Sequence, residues 1–280
     1  MTSRREFLSL AVGGFSATAK GSFSRPLGLQ IYSLRREASK NLANTLTLIR
    51  DLGFSELETG SFFGHTASEF RRMLTEHGLK VTSMGADWRR FSTAVKKVAD
   101  DAGALGVEYV TTSQIPRNKR LTLDDATRAA ESLNRWGEVL ADRRLRLCYH
   151  VHGYEFIPGP DGTLFDTLAK GMEAKLANFE MDVFWVVFGN QDPGKLLERY
   201  SGRFPLIHIK DIRKGEARTF DPGSVAEEAS VPLGTGEVVW PSVLKAARKH
   251  GVQHYYLEEE HPNAVAQIQQ SLRYLERIRF

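Results

Sequence analysis

Apolar and polar positions alternate in several short segments of this chain. In Asn178-Phe179-Glu180-Met181-Asp182-Val183, Phe179, Met181 and Val183 share one face and Glu180 and Asp182 the other. In Leu206-Ile207-His208-Ile209-Lys210, the two isoleucines oppose His208 and Lys210. Leu145 to His150 and Tyr256-Leu257-Glu258 repeat the pattern. Side chains alternate along a strand with period two, so each segment has an apolar face and a face ending in His, Asp or Glu. The apolar faces need a cover of helices. The polar faces of four strands, each offering a metal-type ligand at one end, predict a convergent site.

Strand-like runs recur near residues 27–33, 55–59, 80–84, 107–112, 145–150, 178–183, 205–210 and 254–258. Helical spacing fills the intervals, over 41–52, 67–77, 91–105, 123–141, 242–250 and 263–278. Gly53, Gly78 and Gly251 fit the turn after a helix, and Pro193 and Pro241 fit helix starts. Eight strand–helix units with short links predict an α/β fold, a single (β/α)8 TIM barrel, with a metal site at the C-terminal mouth of the strands. A doubly wound sheet is the competitor. It would carry a Gly-rich nucleotide turn after its first strand, and Leu29-Gln30-Ile31-Tyr32-Ser33-Leu34 has no glycine. The longest irregular stretches, 153–162 and 213–236, follow strands with ligand candidates and are expected to rim the site.

Composition narrows the class. With 280 residues, 41% of them hydrophobic, the chain can bury one large core. The net charge of +4 is well mixed and forms no Lys/Arg stripe with interleaved aromatics, so no nucleic-acid partner is expected. Ser3-Arg4-Arg5-Glu6-Phe7-Leu8, a weakly apolar run and Ala17-Thr18-Ala19 read as a twin-arginine signal over residues 1–19. The barrel is then 20–280, and the mature protein periplasmic or secreted. No other apolar run approaches the ~18 residues of a membrane span. Cys148 is the single cysteine, and its place on a strand face reads as a packed thiol. Nothing in the pattern bears on oligomeric state.

His150, Asp182, His208 and Glu258 form the candidate metal set. Two neutral imidazoles and two carboxylates carry a charge that one divalent cation cancels. Mixed N/O ligands suit Mn²⁺ first, then Zn²⁺, Co²⁺, Fe²⁺ or Mg²⁺. Four protein ligands leave about two positions of an octahedral shell for the oxygens of a small carbohydrate. A metal-polarised carbonyl allows a nearby base to remove the adjacent proton. His152, Lys210 and Glu58 are the catalytic candidates, each on the polar face of its strand. Trp185, Trp88 and Tyr154 are candidates for stacking on a sugar, Glu180 is a further substrate-binding candidate, and a sugar hydroxyl is the alternative partner for Glu58.

These strings also resemble the xylose isomerase-like barrel superfamily, often called sugar phosphate isomerase/epimerase. The matching stretches are Leu147-Cys148-Tyr149-His150-Val151-His152-Gly153-Tyr154-Glu155-Phe156, Glu180 to Val186, and Phe204 to Asp211. Pro232-Leu233-Gly234-Thr235-Gly236 through Trp240, leading to His254-Tyr255-Tyr256-Leu257-Glu258, is a fourth. The resemblance runs from about Leu27 to the C-terminus, and it implies metal ligands at His150, Asp182, His208 and Glu258. The ketose 3-epimerases of the superfamily carry Glu where this chain has His150. Two metal-bound carboxylates exchange protons there, and His150 removes that symmetry. Members with His look more like dehydratases, lyases and enzymes acting on keto-glycosides.

The expected activity is a metal-dependent sugar or keto-sugar isomerase/epimerase working by proton abstraction next to a carbonyl. A lyase or dehydratase performing β-elimination on a keto-glycoside or keto-polyol is the alternative. A non-catalytic metal- and sugar-binding barrel follows. An apurinic-site endonuclease ranks last, because it needs further zinc ligands and a basic groove.

Overall fold

The period-two segments close on themselves. A computed structural model describes Phe23 and residues 26–280. Eight parallel strands form a closed barrel: β1 (Leu27–Gln30), β2 (Glu56–Thr59), β3 (Lys80–Gly85), β4 (Tyr109–Thr112), β5 (Arg146–His150), β6 (Ala177–Asp182), β7 (Leu206–Ile209) and β8 (His254–Leu257). Each strand pairs with its sequence neighbours, and β1 closes on β8 with Gly28 opposite Tyr256. A register shift between Leu57 and Glu58 sets Glu58 opposite Ser83.

Among the described residues ten helices surround the strands: α1 (Arg35–Lys40), α2 (Leu42–Asp51), α3 (Ala67–Glu76), α4 (Trp88–Leu105), α5 (Leu123–Ala141), α6 (Leu164–Gly171), α7 (Val183–Phe188), α8 (Pro193–Arg199), α9 (Trp240–Lys249) and α10 (Ala264–Arg277). The expected helices appear within a few residues of their sequence bounds. Thr66 and Thr122 start α3 and α5 with capping boxes to Glu69 and Asp125. Gly53, Gly78 and Gly251 adopt φ of 92°, 69° and 89° after helices, as their positions predicted. Most strands differ from their patterns by one to three residues at an end, and two of these differences have a local cause. β1 ends at Gln30, whose side chain accepts from Tyr32 N–H and opens a 3-10 turn over Ile31–Leu34. β6 ends at Asp182, which caps α7, so Val183 is helical rather than extended.

The outward faces of the strands, including Leu147, Phe179, Met181, Ile207, Ile209 and Leu257, join the helices in one continuous core. Inside the barrel a separate small cluster of Tyr109, Cys148, Leu206 and Tyr256 plugs the lower part. Cys148 is buried there, and burial raises its thiol pKa well above the ordinary value. Above the plug the interior turns polar toward the C-terminal ends of the strands. The loops at 153–162 and 213–236 fold into 3-10 turns and two-residue ladders, Pro158–Gly159 with Gly162–Thr163 and Asp211–Ile212 with Ser230–Val231.

Residues 1–19, where a twin-arginine signal is expected, lie outside the described residues. Among the described residues no helix is long and apolar enough to cross a membrane.

Candidate active site at the barrel mouth

The inward side chains nearest the C-terminal ends of β2, β5, β6, β7 and β8 gather around one imidazole, that of His208. Its Nδ1 is 2.8 Å from Glu258 Oε2 and 3.9 Å from Asp182 Oδ2. Its Nε2 is 2.8 Å from Glu58 Oε1 and 3.4 Å from Glu180 Oε1. His150, the last residue of β5, sets Nε2 at 3.8 Å from Asp182 Oδ2 and Nδ1 at 2.8 Å from Glu180 Oε2. The structure thus brings His150, Asp182, His208 and Glu258 together, and adds Glu58 and Glu180 on the opposite side of the His208 ring.

All of these side chains are buried. Burial and then the Glu180 carboxylate push Glu58 up to about 7. Burial raises Asp182, with Glu258 adding to it against the pull of Lys210. Burial, then the neighbouring His208, lowers His150 to about 3. For His208 burial is the largest single influence and acts downward, but Glu180, Glu58 and Glu258 together outweigh it and hold the imidazole well above its usual range. Carboxylates crowded in this way are costly unless a cation sits among them.

The residues fit a divalent ion. Asp182 Oδ2 is buried without a hydrogen-bond partner, and so are Glu58 Oε2 and Glu180 Oε1. His150, Asp182 and His208 offer ligand atoms within 4.8 Å of one another, and Glu58, Glu180 and His208 do the same. Glu258 stands beside the first group through its contact with His208 Nδ1. The donors are imidazole nitrogen and carboxylate oxygen, a set suited to Zn²⁺, Mn²⁺ or Fe²⁺.

Lys210 follows β7 on the polar face, as its sequence position implies. Its ammonium contacts Glu260 Oε1 at 2.7 Å, Glu258 Oε2 at 3.7 Å and Asp182 Oδ2 at 4.0 Å. It also lies 5.0 Å over the Phe184 ring and 5.4 Å over that of Trp185. Burial acts to lower it, and the three carboxylates reverse this, holding it charged and well above the ordinary lysine range. Lys210 does not border the cavity. It is an ion-pairing group, with Glu260 as its nearest partner.

A cavity of about 1250 Å³ opens above the cluster. His150, His152, Glu58, Glu180, His208, Glu258 and Trp185 are part of its lining, together with Gln30, Tyr32, Arg35, Phe63 and Arg90. The His152 ring centroid is 4.7 Å from that of His150, and its Nδ1 is buried and unpartnered. Burial, then His150 and Lys210, keep this imidazole neutral by lowering its pKa well below the usual value. Its backbone is pinned by Glu155, which accepts from His152 N–H at 3.0 and 3.2 Å.

Trp88 and Tyr154 are outside the cavity wall. Trp88 opens α4 and packs edge-on to Trp136 at 4.7 Å, where the apolar stripe of the helix carries it. Tyr154 is buried, with its hydroxyl bonded to Tyr149 Oη and Ile115 N–H and Arg117 stacked over its ring at 3.6 Å. Sequence reasoning missed Gln30, which donates to Glu58 Oε1 at 2.5 Å, and Glu260. Glu260 had a signal, since it repeats the period-two spacing two residues beyond Glu258. Gln30 is neutral and carried none.

The Asp211 carboxylate organises the loop behind the mouth. It accepts from the backbone N–H groups of Ile212, Gly234, Gly236 and Val238 and from the Trp240 indole. The His-x-Lys-Asp string and the Gly234-Thr235-Gly236 string are therefore two halves of one clasp.

A closed eight-stranded parallel barrel wrapped by helices, with His and carboxylate side chains gathered at its mouth, is an α/β TIM barrel. The chain belongs to the xylose isomerase-like TIM barrel family, whose pattern matches residues 46–278. Inosose dehydratase of Geobacillus kaustophilus (strain HTA426) is 23% identical over 190 residues, 60% of this chain and 61% of that protein. The chain spans about three-fifths of the length of this relative, about half of several other curated inosose dehydratases, and 80% of that of Geobacillus thermodenitrificans (strain NG80-2). A sugar phosphate isomerase/epimerase from Parabacteroides distasonis ATCC 8503 superposes with a TM-score of 0.75 at 27% identity, covering 93% of this chain and 95% of that one. An IOLI protein with a bound zinc atom shares the fold, with a TM-score of 0.68 at 14% identity over 89% of this chain and 95% of the other.

Proposed function

We propose that this chain is a divalent-metal-dependent enzyme that removes the proton next to a carbonyl of a sugar, keto-sugar or keto-polyol, leading to isomerisation or to β-elimination. The observation that carries the reading is Asp182 Oδ2, buried and unpartnered between His150 Nε2 and His208 Nδ1, with Glu258 alongside. His150, Asp182, His208 and Glu258 would hold the ion. The zinc atom of the IOLI protein and the sugar-directed names of the relatives agree with this reading. When bound, a divalent cation supplies a Lewis acid that acidifies the carbon beside a carbonyl.

His152 is the base in this scheme. It borders the cavity and carries an unpartnered ring nitrogen that can accept a proton. Trp185 offers a ring at 5.7 Å from that of His152 for the apolar face of a sugar. Glu58 and Glu180, also on the cavity wall, are within reach of substrate hydroxyls. His150 adds an imidazole where a second carboxylate would be needed for symmetrical epimerisation. Together with the dehydratase relatives, this favours elimination over plain epimerisation.

Deuterium exchange in heavy water tests the common step without prejudging the product. The zinc- or manganese-loaded protein is incubated with an inosose and a panel of keto-sugars, and loss of the α-proton signal is followed by NMR. His152→Ala is expected to slow exchange by about 10²–10⁴ while leaving one ion per chain. Asp182→Ala is expected to lose the ion. A fully loaded protein that exchanges no α-proton across the panel would refute the proposal.

A further inference from the structure

His150 and His208 each have one nitrogen toward Asp182 and the other against a separate buried carboxylate. His150 points Nε2 at Asp182 Oδ2 and Nδ1 at Glu180 Oε2, 2.8 Å away. His208 points Nδ1 at Asp182 and Glu258, and Nε2 at Glu58 Oε1, again 2.8 Å away. The attachment is mirrored: Nδ1 is the outer nitrogen in one ring and Nε2 in the other. Glu58 and Glu180 are each 1% exposed, and Glu58 Oε1 is held in place by Gln30.

We infer that Glu58 and Glu180 are positioning residues that fix opposite tautomers of the two imidazoles, His208 protonated on Nε2 and His150 protonated on Nδ1. The inference rests on the metal reading above and assigns these two carboxylates a role toward that ion. An imidazole ligates only through a nitrogen without a proton, and the acceptor on the other nitrogen decides which one that is. A carboxylate acceptor also orients the ring and makes its free nitrogen more basic. With both outer nitrogens committed, the lone pairs of His150 Nε2 and His208 Nδ1 converge on the Asp182 side. Glu58 and Glu180 are also near enough to His208 Nε2 to hold a cation themselves. The two arrangements differ in ion count and in which nitrogen keeps its proton.

Zinc titration combined with long-range ¹H–¹⁵N spectra of histidine-labelled protein separates them. The wild type is expected to bind one zinc per chain, with a proton on Nε2 of His208 and on Nδ1 of His150. Glu58→Gln keeps an acceptor oxygen but loses the charge, and is expected to raise the zinc dissociation constant about tenfold with the tautomer retained. Glu58→Leu removes the acceptor, and is expected to raise it toward 100-fold and to alter the His208 Nε2 signal alone. Glu180→Gln is expected to weaken zinc in the same way through His150. The isosteric glutamine variants carry the test if Glu58→Leu does not fold. Two zinc ions in the wild type falling to one in Glu58→Gln would make these residues ligands and overturn the inference. Unchanged affinity and spectra in all three variants would overturn it while leaving the metal reading intact. A wild type that takes up no zinc would overturn both.

Discussion

Replacing Asp211 by Asn tests whether the clasp behind the mouth is held by charge and acceptor geometry. Asp211 Oδ2 accepts from Gly234 N–H at 2.9 Å, Gly236 N–H at 3.3 Å and Trp240 Nε1 at 2.9 Å. Oδ1 accepts from Ile212 N–H at 2.9 Å and Val238 N–H at 3.2 Å. All five partners are donors. An asparagine has one acceptor oxygen, and its better orientation keeps the oxygen on the Oδ2 side. The amide NH₂ then faces Ile212 and Val238 donor to donor, so two hydrogen bonds to a charged group are lost in a buried site. Bonds of that kind contribute about 1.5–3 kcal/mol each. Burial pushes the Asp211 carboxyl above its usual range in spite of the five donors, so the charge itself is expensive here. The net loss is therefore set at the lower end, about 3 kcal/mol. Urea unfolding of wild type and Asp211→Asn, compared at equal m-value, measures it. Asp211 does not border the cavity, so a folded variant should still bind metal. A variant within about 0.5 kcal/mol of wild type would show that the loop is held by its apolar contacts, chiefly Leu233 and Trp240, and the reasoning would fail.

Further outcomes follow from the packing. Gly28→Ala places a Cβ 2.5 Å from Tyr256 Cδ1 inside the barrel, and overpacking of this kind should cost about 1–3 kcal/mol, read as a lower denaturation midpoint. Thr122→Ala removes the side-chain half of the box that starts α5 and should cost about 1 kcal/mol in the same assay. Cys148 has no exposed surface and a raised thiol pKa, so it should resist a thiol reagent in the native protein and react fully in denaturant. Labelling of Cys148 at native rates comparable to those of the unfolded chain would contradict its place in the barrel plug.

Alternation and helical spacing in the sequence were enough for the barrel, because both periods are local properties of the chain. They placed all eight strands, and they put His150, Asp182, His208, Lys210 and Glu258 on inward faces near strand ends. Cys148 was likewise legible as a packed thiol. Partnerships were not legible. His208 meets Glu58 across 150 residues and Glu258 across 50, and His150 meets Glu180 across 30. Such contacts depend on strand register around a closed ring, and on the shift at Leu57/Glu58 that seats Glu58 beside the cluster. The same dependence explains the aromatics. Trp88 and Tyr154 have the composition of sugar platforms, but the start of α4 and the turn after β5 direct them into packing, while Trp185, carried by the helix that Asp182 caps, reaches the cavity. What residues are present on each face was decided by the sequence alone. Which of them share a proton, an ion pair or an ion was decided by the closure of the barrel, since only closure brings the ends of distant strands within bonding distance.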